Sequence, residues 1–170
     1  MSQSRDDIQY ILKHWRESVS EDRLAHLVRD VARAQMRALQ QRLMPYKVSF
    51  GHWTFLRILW TQDGLTQKEL SNLAGVMEPT TFSAVKAMEV LGFIERRQLL
   101  GNRKNMHVFL TPLGKSLKKK LVPLAEEVNT LSVQGLSDRN VVLLRKSLLA
   151  IIENLAKEEG SIANTIGDVP

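Results

Sequence analysis

Residues 65–75 read LTQKELSNLAG and residues 78–94 read EPTTFSAVKAMEVLGFI, and these two stretches decide the fold. In the first stretch, Thr66 is followed three residues later by Glu69. This spacing is a capping box, in which each residue satisfies a backbone amide that the first turn of a helix leaves unpaired. Gly75 comes directly after the last apolar residue, as is common where a helix ends. The first stretch is therefore predicted to form a short helix.

The second stretch is predicted to form a second helix. Pro79 suits the first helical position because its ring holds the backbone in the helical range, and Gly92 ends the helix. The residues that the helical period is expected to turn toward the core are Leu70, Leu73 and Ala74 in the first helix and Phe82, Val85 and Met88 in the second. Two short helices joined by a tight turn form a helix-turn-helix.

A basic hairpin is predicted to follow the second helix. Its candidate strands are residues 93–98 and 106–110, and the loop between them, residues 99–105, contains the turn dipeptide Gly101-Asn102. Helix, turn, helix and hairpin in this order predict a winged helix-turn-helix, a mostly α fold with a small β-hairpin wing. The partner that this fold indicates is double-stranded DNA.

The positive charge of the chain is concentrated around this hairpin. The whole chain has 170 residues and a formal net charge of +6. Residues 80–120 contain nine Lys and Arg against two Asp and Glu, a net +7, whereas residues 121–170 have a net −3. A solvated basic surface would also show such an excess. Beside the helix-turn-helix, however, the excess favours binding to phosphates.

Three amphipathic helices are predicted before this module. The first covers residues 6–17. The second begins at the Ser20 cap and ends near Leu43, before Pro45, and the third begins at the Ser49 cap.

Two further helices are predicted after the module. The first begins at Thr111-Pro112 and is expected to kink at Pro123, and the second begins at the Ser137 cap. The second has a heptad-like seam with alternating spacings of three and four, formed by Val141, Leu144, Leu148, Ile151 and Leu155. The seam could pack on its own domain, but apolar stripes at both ends of the chain favour a two-fold homodimer.

These elements divide the chain into four parts. Residues 1–48 are predicted to contain N-terminal helices for dimerisation and a candidate ligand pocket, and residues 49–112 the winged helix-turn-helix that binds DNA. Residues 113–160 are predicted to form C-terminal dimerisation helices. Residues 161–170 contain few apolar side chains and are expected to form a flexible tail.

Composition excludes several classes of function. The chain has no cysteine, which excludes disulfides, thiolate zinc sites and cysteine-based redox sensing. The four histidines are not paired at helical spacing, so no metal site or cofactor is expected. No nucleophile with a base and no carboxylate pair suggests an enzyme. No apolar run is long enough to span a membrane, and the first residues do not resemble a secretory signal, so a cytoplasmic protein is expected.

The candidate DNA contacts follow from how such modules dock. The first turns of the second helix meet base edges in the major groove, where small polar residues allow close approach. Lys86 lies one turn further along and could reach a phosphate or a guanine. The full set of predicted contacts is Thr66, Gln67, Lys68, Pro79, Thr80, Thr81, Ser83, Lys86, Arg96, Arg97, Arg103, Lys104 and Asn105.

Taken together, these motifs resemble the MarR family of multiple antibiotic resistance regulators. The resemblance covers about residues 21–157 and is strongest in residues 64–70, residues 79–96 and residues 102–114, where VFLTPLG follows the predicted wing. It implies a homodimeric transcription regulator, usually a repressor, whose terminal helices form the dimer interface. It also implies a small aromatic or phenolic ligand that binds between the dimer and DNA domains and weakens DNA binding.

The resemblance assigns roles to particular residues. Thr80, Thr81 and Ser83 match the recognition helix, and Arg103 matches the wing arginine. The family often has an acidic residue near that arginine, where this chain has Gly101-Asn102, so Arg103 is expected to be less firmly braced. The cysteine of the peroxide-sensing branch is missing.

Aromatic and histidine side chains gather in the first three predicted helices and suggest a ligand site. An apolar pocket with a few polar groups suits a small aromatic acid, and Arg16 or Arg29 could hold its carboxylate with two hydrogen bonds. Plain core packing is the alternative interpretation. The predicted ligand contacts are His14, Trp15, Arg16, His26, Arg29, Tyr46, His52 and Trp53.

The sequence therefore predicts a sequence-specific DNA-binding regulator, a repressor that a small ligand releases from DNA. The alternative is a winged-helix protein that binds DNA without a ligand, as a constitutive or architectural binder. A winged helix that binds protein instead of DNA is disfavoured by the basic excess in residues 80–120.

Overall fold

The helices and strands follow one another largely as the sequence predicts, with one short strand added. The computed structural model describes residues 13, 24–99 and 102–167, and it describes their side chains except at residues 99, 102–105 and 159–167. Within these residues the elements are α1 (Leu24–Leu43), a 3-10 turn (Met44–Tyr46), α2 (Phe50–Thr61), β1 (Leu65–Thr66), α3 (Gln67–Ala74), α4 (Glu78–Val90), β2 (Ile94–Leu99), β3 (Asn102–Leu110), α5 (Pro112–Ser132) and α6 (Asp138–Gly167). The helix predicted at residues 6–17 lies outside the described residues, apart from Lys13.

The chain divides into two compact units, Met1–Val128 and Asn129–Pro170, and the boundary falls within α5. The first unit contains the helix-turn-helix and the sheet, and the second contains the end of α5 and all of α6. The division into four functional parts stays a prediction. One detail of it needs correction, because α6 continues to Gly167 and residues 161–167 are helical. Gly160 does not end the helix, since one glycine costs a formed helix only about 1 kcal/mol.

The capping box that was predicted at the start of α3 is present. The Thr66 hydroxyl oxygen accepts a hydrogen bond from the Glu69 backbone N–H at 3.3 Å, and the Glu69 carboxylate accepts from the Thr66 backbone N–H at 2.7 Å. This hydrogen bond from the Thr66 backbone is the main reason why the pKa of Glu69 lies below its ordinary value. Gly75 closes the helix in the left-handed conformation, with φ of 63°.

A second capping box starts α2, with a histidine in the place of the usual Glu or Gln. The Ser49 hydroxyl accepts from the His52 N–H at 3.1 Å, and Nδ1 of His52 accepts from the Ser49 N–H at 3.4 Å. The Ser49 cap was predicted, but the part played by His52 was not. Nδ1 can accept this bond only while it carries no proton.

The three strands form an antiparallel sheet in the order β1-β3-β2. β2 and β3 are the arms of the predicted hairpin, with Ile94 opposite Leu110. β1 has only two residues and was not predicted; its Leu65 lies opposite Val108. Through β1 the wing is hydrogen-bonded to the segment that immediately precedes α3.

β3 begins at Asn102, whereas the sequence predicts a loop through residue 105 and a strand from Met106. Residues 103–105 are polar and basic, so they lack the apolar alternation of a half-buried strand. A hairpin nevertheless pairs through backbone N–H and C=O groups, whatever its side chains. Leu99 lies opposite Asn102, and the register shifts between Gln98 and Leu99.

The core of the first unit lies between the helix-turn-helix, the sheet and α5. Its fully buried side chains include Leu43, Leu56, Leu59, Leu70, Val85, Met88, Ile94, Val108 and Leu121. The core positions predicted for two residues are wrong, because Leu73 is 59% exposed and Phe82 is 51% exposed. The small residues Ser71 and Thr81 are buried instead. Each donates its hydroxyl proton to a nearby backbone carbonyl, which lowers the cost of burying the hydroxyl.

Asp63 and Gly114 hold the wing against the helices. The Asp63 carboxylate accepts hydrogen bonds from the backbone N–H of Leu110 at 2.8 Å and of Gly64 at 3.1 Å. At Gly114 a Cβ atom would lie 2.0 Å from the backbone oxygen of Phe93. The Gly114 carbonyl also accepts a hydrogen bond from Nε1 of Trp60 at 2.9 Å. Only glycine allows this approach of α5 to the start of the wing.

We expect Gly114→Ala to lower the free energy of unfolding by about 1–3 kcal/mol or more, because the methyl group must displace backbone. Gly51→Ala is the matched control, since the nearest atom to a Cβ there is 3.8 Å away and alanine suits a helix better than glycine. Urea denaturation of both variants checks this. Equal stability of the two variants would contradict the close approach at Gly114.

Candidate nucleic-acid interface

α4 presents two different faces. Thr81, Val85 and Met88 are buried against the core, and α4 contacts α2, α3 and β2. The exposed residues of α4 are Glu78, Pro79, Thr80, Phe82, Ser83, Lys86 and Val90. Burial of one stripe therefore turns the opposite, largely polar face outward.

Four of the five contacts predicted on α4 are exposed, namely Pro79, Thr80, Ser83 and Lys86. Thr81 is the exception and is a correction. Its side chain is fully buried, and its hydroxyl donates to the Met77 carbonyl at 3.5 Å. Threonine fills this inward position because its methyl group packs in the core while its hydroxyl bonds within the helix. It is therefore not available to a base edge.

The Ser83 hydroxyl is partly committed within α4. It donates a hydrogen bond to the Pro79 carbonyl at 3.0 Å. A hydroxyl oxygen has two lone pairs, so in this rotamer Ser83 can accept a hydrogen bond from outside but cannot donate one. In the major groove, the groups on base edges that could donate to it are the amino groups of adenine and cytosine.

An ion pair joins the end of α4 to the wing. Nη2 and Nε of Arg96 lie 2.6 Å and 3.0 Å from one carboxylate oxygen of Glu89. These hydrogen bonds lower the pKa of Glu89 and raise that of Arg96. Arg96 was predicted to contact DNA, but its guanidinium is directed at α4 and holds the wing in place. The sequence pattern does not reveal this pair, because the turn at Gly92 separates its two residues.

Arg97 lies on the exposed side of the hairpin. Its guanidinium stacks on the Phe109 ring, with Cζ 4.2 Å from the ring centroid, and its Nε is 3.2 Å from the Glu95 carboxylate. Arg97 thus stays on the surface and is available to a phosphate. Arg103, Lys104 and Asn105 belong to β3, but their side chains lie outside the described part of the structure.

The three contacts predicted at the start of α3 differ in their surroundings. Thr66 caps the helix, and its hydroxyl donates to Glu69 at 2.7 Å. The amide nitrogen of Gln67 is buried, so it does not face outward. Lys68 is exposed.

Nearby, Nδ1 of His107 lies 2.8 Å from the Gly64 carbonyl, and because a carbonyl only accepts, Nδ1 must carry the proton.

Five of the predicted ligand contacts, His26, Arg29, Tyr46, His52 and Trp53, lie in the described part of the first unit. His14, Trp15 and Arg16 lie outside the described residues. His26 is exposed on α1, where the Arg29 guanidinium pairs with Asp30 at 3.0 Å. Tyr46 packs against the core.

The two remaining candidates, Trp53 and His52, make contacts that support the fold. Trp53 is 4% exposed and makes an edge-to-face contact with Trp60, with ring centroids 5.6 Å apart. His52 caps α2, and partial burial lowers its pKa. For Trp53 the alternative interpretation, plain core packing, therefore describes its environment.

One open groove of about 410 Å³ lies between α2 and α3. Its lining residues are Thr54, Arg57, Ile58, Thr61, Gln62, Leu73 and Ala74. None of the predicted ligand contacts is among them. Among the residues that the structure describes, no three His, Asp or Glu side chains come together as metal ligands would. None of the described helices has the length and apolarity needed to cross a membrane.

A helix-turn-helix that exposes a polar face on its second helix, followed by a basic hairpin, defines a winged-helix DNA-binding protein. Residues 48–106 match the model of the MarR family. The chain is 30% identical over 106 residues to YwoH of Bacillus subtilis, an uncharacterised transcriptional regulator of the helix-turn-helix type. This match covers 62% of the chain and 72% of the relative. The chain belongs to the MarR family, and it is a DNA-binding transcriptional regulator rather than an enzyme.

Solved structures have the same fold. A MarR-family regulator from Listeria monocytogenes, solved in complex with a 26mer DNA, matches with a TM-score of 0.71 and 22% identity over 81% of this chain and 91% of that one. BpsR of Bordetella bronchiseptica, whose DNA binding is regulated by 6-hydroxynicotinic acid, matches with a TM-score of 0.69 and 19% identity over 76% of this chain and 98% of that one.

We expect His52 to make stability depend on pH. Its pKa is lowered in the folded protein, so below its ordinary value of about 6.5 the unfolded chain takes up a proton that the folded chain resists. The free energy of unfolding should therefore fall as the pH falls from about 7.5 to about 5.5. In this range Glu69 and Glu89 stay ionised in both states.

The matched variant is His52→Gln, which keeps a side-chain acceptor for the Ser49 N–H but does not titrate. Urea denaturation at several pH values should give a smaller loss of stability for this variant than for the wild type. The same loss in both proteins would show that His52 is not the group responsible.

Proposed function

We propose that this MarR-family regulator is a repressor that binds a pseudo-palindromic operator as a homodimer and leaves it when a small aromatic acid or phenol binds. One observation carries the proposal: the exposed face of α4, with Thr80, Ser83 and Lys86, lies within the segment that has a net +7. Polar side chains there can meet base edges while cations around them meet phosphates.

The wing has the second role in DNA binding. Arg97 is exposed on its surface, and Arg103, Lys104 and Asn105 follow in β3. We assign Arg103 to the minor groove beside the site of α4, where a narrow groove attracts arginine electrostatically. The Glu89–Arg96 ion pair supports this assignment, because it fixes the hairpin relative to α4 at the start of the wing.

The homodimer is supported by the apolar surface of α6. Among the residues of α6 whose side chains are described, the exposed large apolar ones are Val142, Leu143, Leu144, Leu148, Leu149, Ile152 and Leu155. Exposed apolar side chains in this number mark an interaction site, and a second copy of the chain is the occupant that a two-fold operator requires. Two recognition helices then read half-sites about one DNA turn apart.

Release by a ligand is supported by the family and by BpsR, whose DNA binding responds to a hydroxylated aromatic acid. In this chain we assign the ligand site to the N-terminal helices, with His26, Arg29 and Tyr46 as candidate contacts beside His14, Trp15 and Arg16. A ligand that binds better to a dimer with another spacing of its recognition helices shifts the population away from DNA. The second candidate function is a DNA binder without a ligand. A cytoplasmic location follows from either function.

Selection of bound fragments from sheared genomic DNA at physiological salt tests the proposed function. We expect one pseudo-palindromic motif, and we expect a screen of aromatic acids and phenols to find a compound that releases the protein from it. A motif without any releasing compound would favour the second candidate function. Recovery of fragments with no sequence preference would contradict both the proposed operator and the proposed function as a repressor.

We expect Leu148→Glu to convert the dimer into a monomer, because it places a charge in the apolar seam of α6. Lys146→Glu is the matched control, since it adds the same carboxylate two residues away on another side of the helix. Sedimentation velocity gives the mass of each variant, and circular dichroism checks that both stay helical. A dimer that persists in Leu148→Glu would place the interface elsewhere.

A further inference from the structure

We propose that Phe82 is a specificity-determining residue that reads the C5 methyl group of a thymine in the major groove. This inference deepens the proposed function and rests on the role assigned there to α4. The sequence predicted a core position for Phe82, so its exposure is a finding of the structure. Residue 82 is 51% exposed, while its neighbour Thr81 is fully buried.

Exposure of one aromatic residue is ordinary in a soluble protein, so the position of Phe82 within α4 is what indicates a role. Phe82 is the fifth residue of the thirteen in α4, within the half of a recognition helix that meets base edges. Helical side chains lean toward the N-terminal end of their helix. A ring at this position is therefore expected to lie near the end of α4 that enters the groove.

The surroundings of Phe82 suit DNA better than another protein surface. Phe82, Ser83, Lys86 and Ala87 line one shallow groove on α4, together with Val90 and Leu91. Lys86 follows Phe82 by four residues and thus lies on the same side of the helix. An ammonium group beside the ring provides a phosphate contact next to an apolar contact, which is the combination that the edge of a major groove presents.

The chemistry of the ring selects the group that it can read. A phenyl ring neither donates nor accepts a conventional hydrogen bond, so it cannot distinguish the donors and acceptors on base edges. The only apolar group that unmodified DNA exposes in the major groove is the thymine methyl, which phenylalanine is known to contact. Phe82 is therefore expected to favour a thymine at one position of each half-site.

A double-mutant cycle between the ring and the methyl group tests the proposal. Wild type and Phe82→Ala each bind duplexes of the selected operator, in which single thymines of the half-site are replaced by deoxyuridine. This replacement removes only the methyl group. At one thymine we expect wild type to lose about fourfold in affinity per half-site, the value of one buried methyl group. Phe82→Ala should bind the two duplexes equally well.

Val90→Ala is the matched control. It truncates another exposed apolar residue of α4, at the C-terminal end of the helix, and should keep the discrimination of the wild type. Selection from a random pool with Phe82→Ala should return the operator with that thymine no longer preferred. Thermal unfolding checks that Phe82→Ala stays folded. The deoxyuridine series measured on the wild type tests the methyl contact even if this variant does not fold.

The outcomes separate this proposal from the proposed function. If the wild type selects no motif, the operator itself is wrong. If it selects a motif but tolerates deoxyuridine at every thymine, Phe82 does not read a methyl group. Equal discrimination by wild type and Phe82→Ala would also overturn the proposal. If the Phe82→Ala assembly has a lower mass in solution than the wild-type assembly and its base preference is unchanged, the ring contacts another protein chain and not DNA.

Discussion

The burial of Thr81, Val85 and Met88 against the core is the constraint on which the DNA-reading surface depends. These three side chains are almost completely inaccessible, and α4 cannot rotate about its axis without exposing them. The rotation of α4 in turn determines that Ser83 and Lys86 face outward. Thr81 meets this constraint because it donates its hydroxyl proton to Met77 within the helix, so a polar residue can occupy a core position at low cost.

Polar contacts and one close approach make α4 and the wing a single preorganised surface. Arg96 joins the wing to Glu89 of α4, and Asp63 binds the end of β3 through the Leu110 N–H. Gly114 lets α5 approach Phe93, the residue just before β2. A surface that is already ordered loses less conformational entropy on binding than a flexible one. The residues that fix the geometry are therefore different from those that we expect to touch DNA.

The elements of the fold could be predicted because their signals are local. The capping box at Thr66 and the glycine at residue 75 act within a few residues, and both are confirmed. The orientation of α4 could not be predicted as well, because positions 81 and 82 lie about 100° apart around the helix and hydrophobicity favoured Phe82 over Thr81 for the core. The Glu89–Arg96 pair depends on how the chain turns at Gly92. The ligand contacts stay predictions, since they require a site that the sequence does not outline.

The outward face of α4 is expected to lie in the major groove of the operator. Methylation protection with dimethyl sulfate tests it directly, because this reagent attacks guanine N7, which lies in the major groove. On the selected operator, we expect two protected regions about one helical turn apart, with the protection weakened in Lys86→Gln. Binding that leaves every guanine N7 in the operator reactive would contradict it.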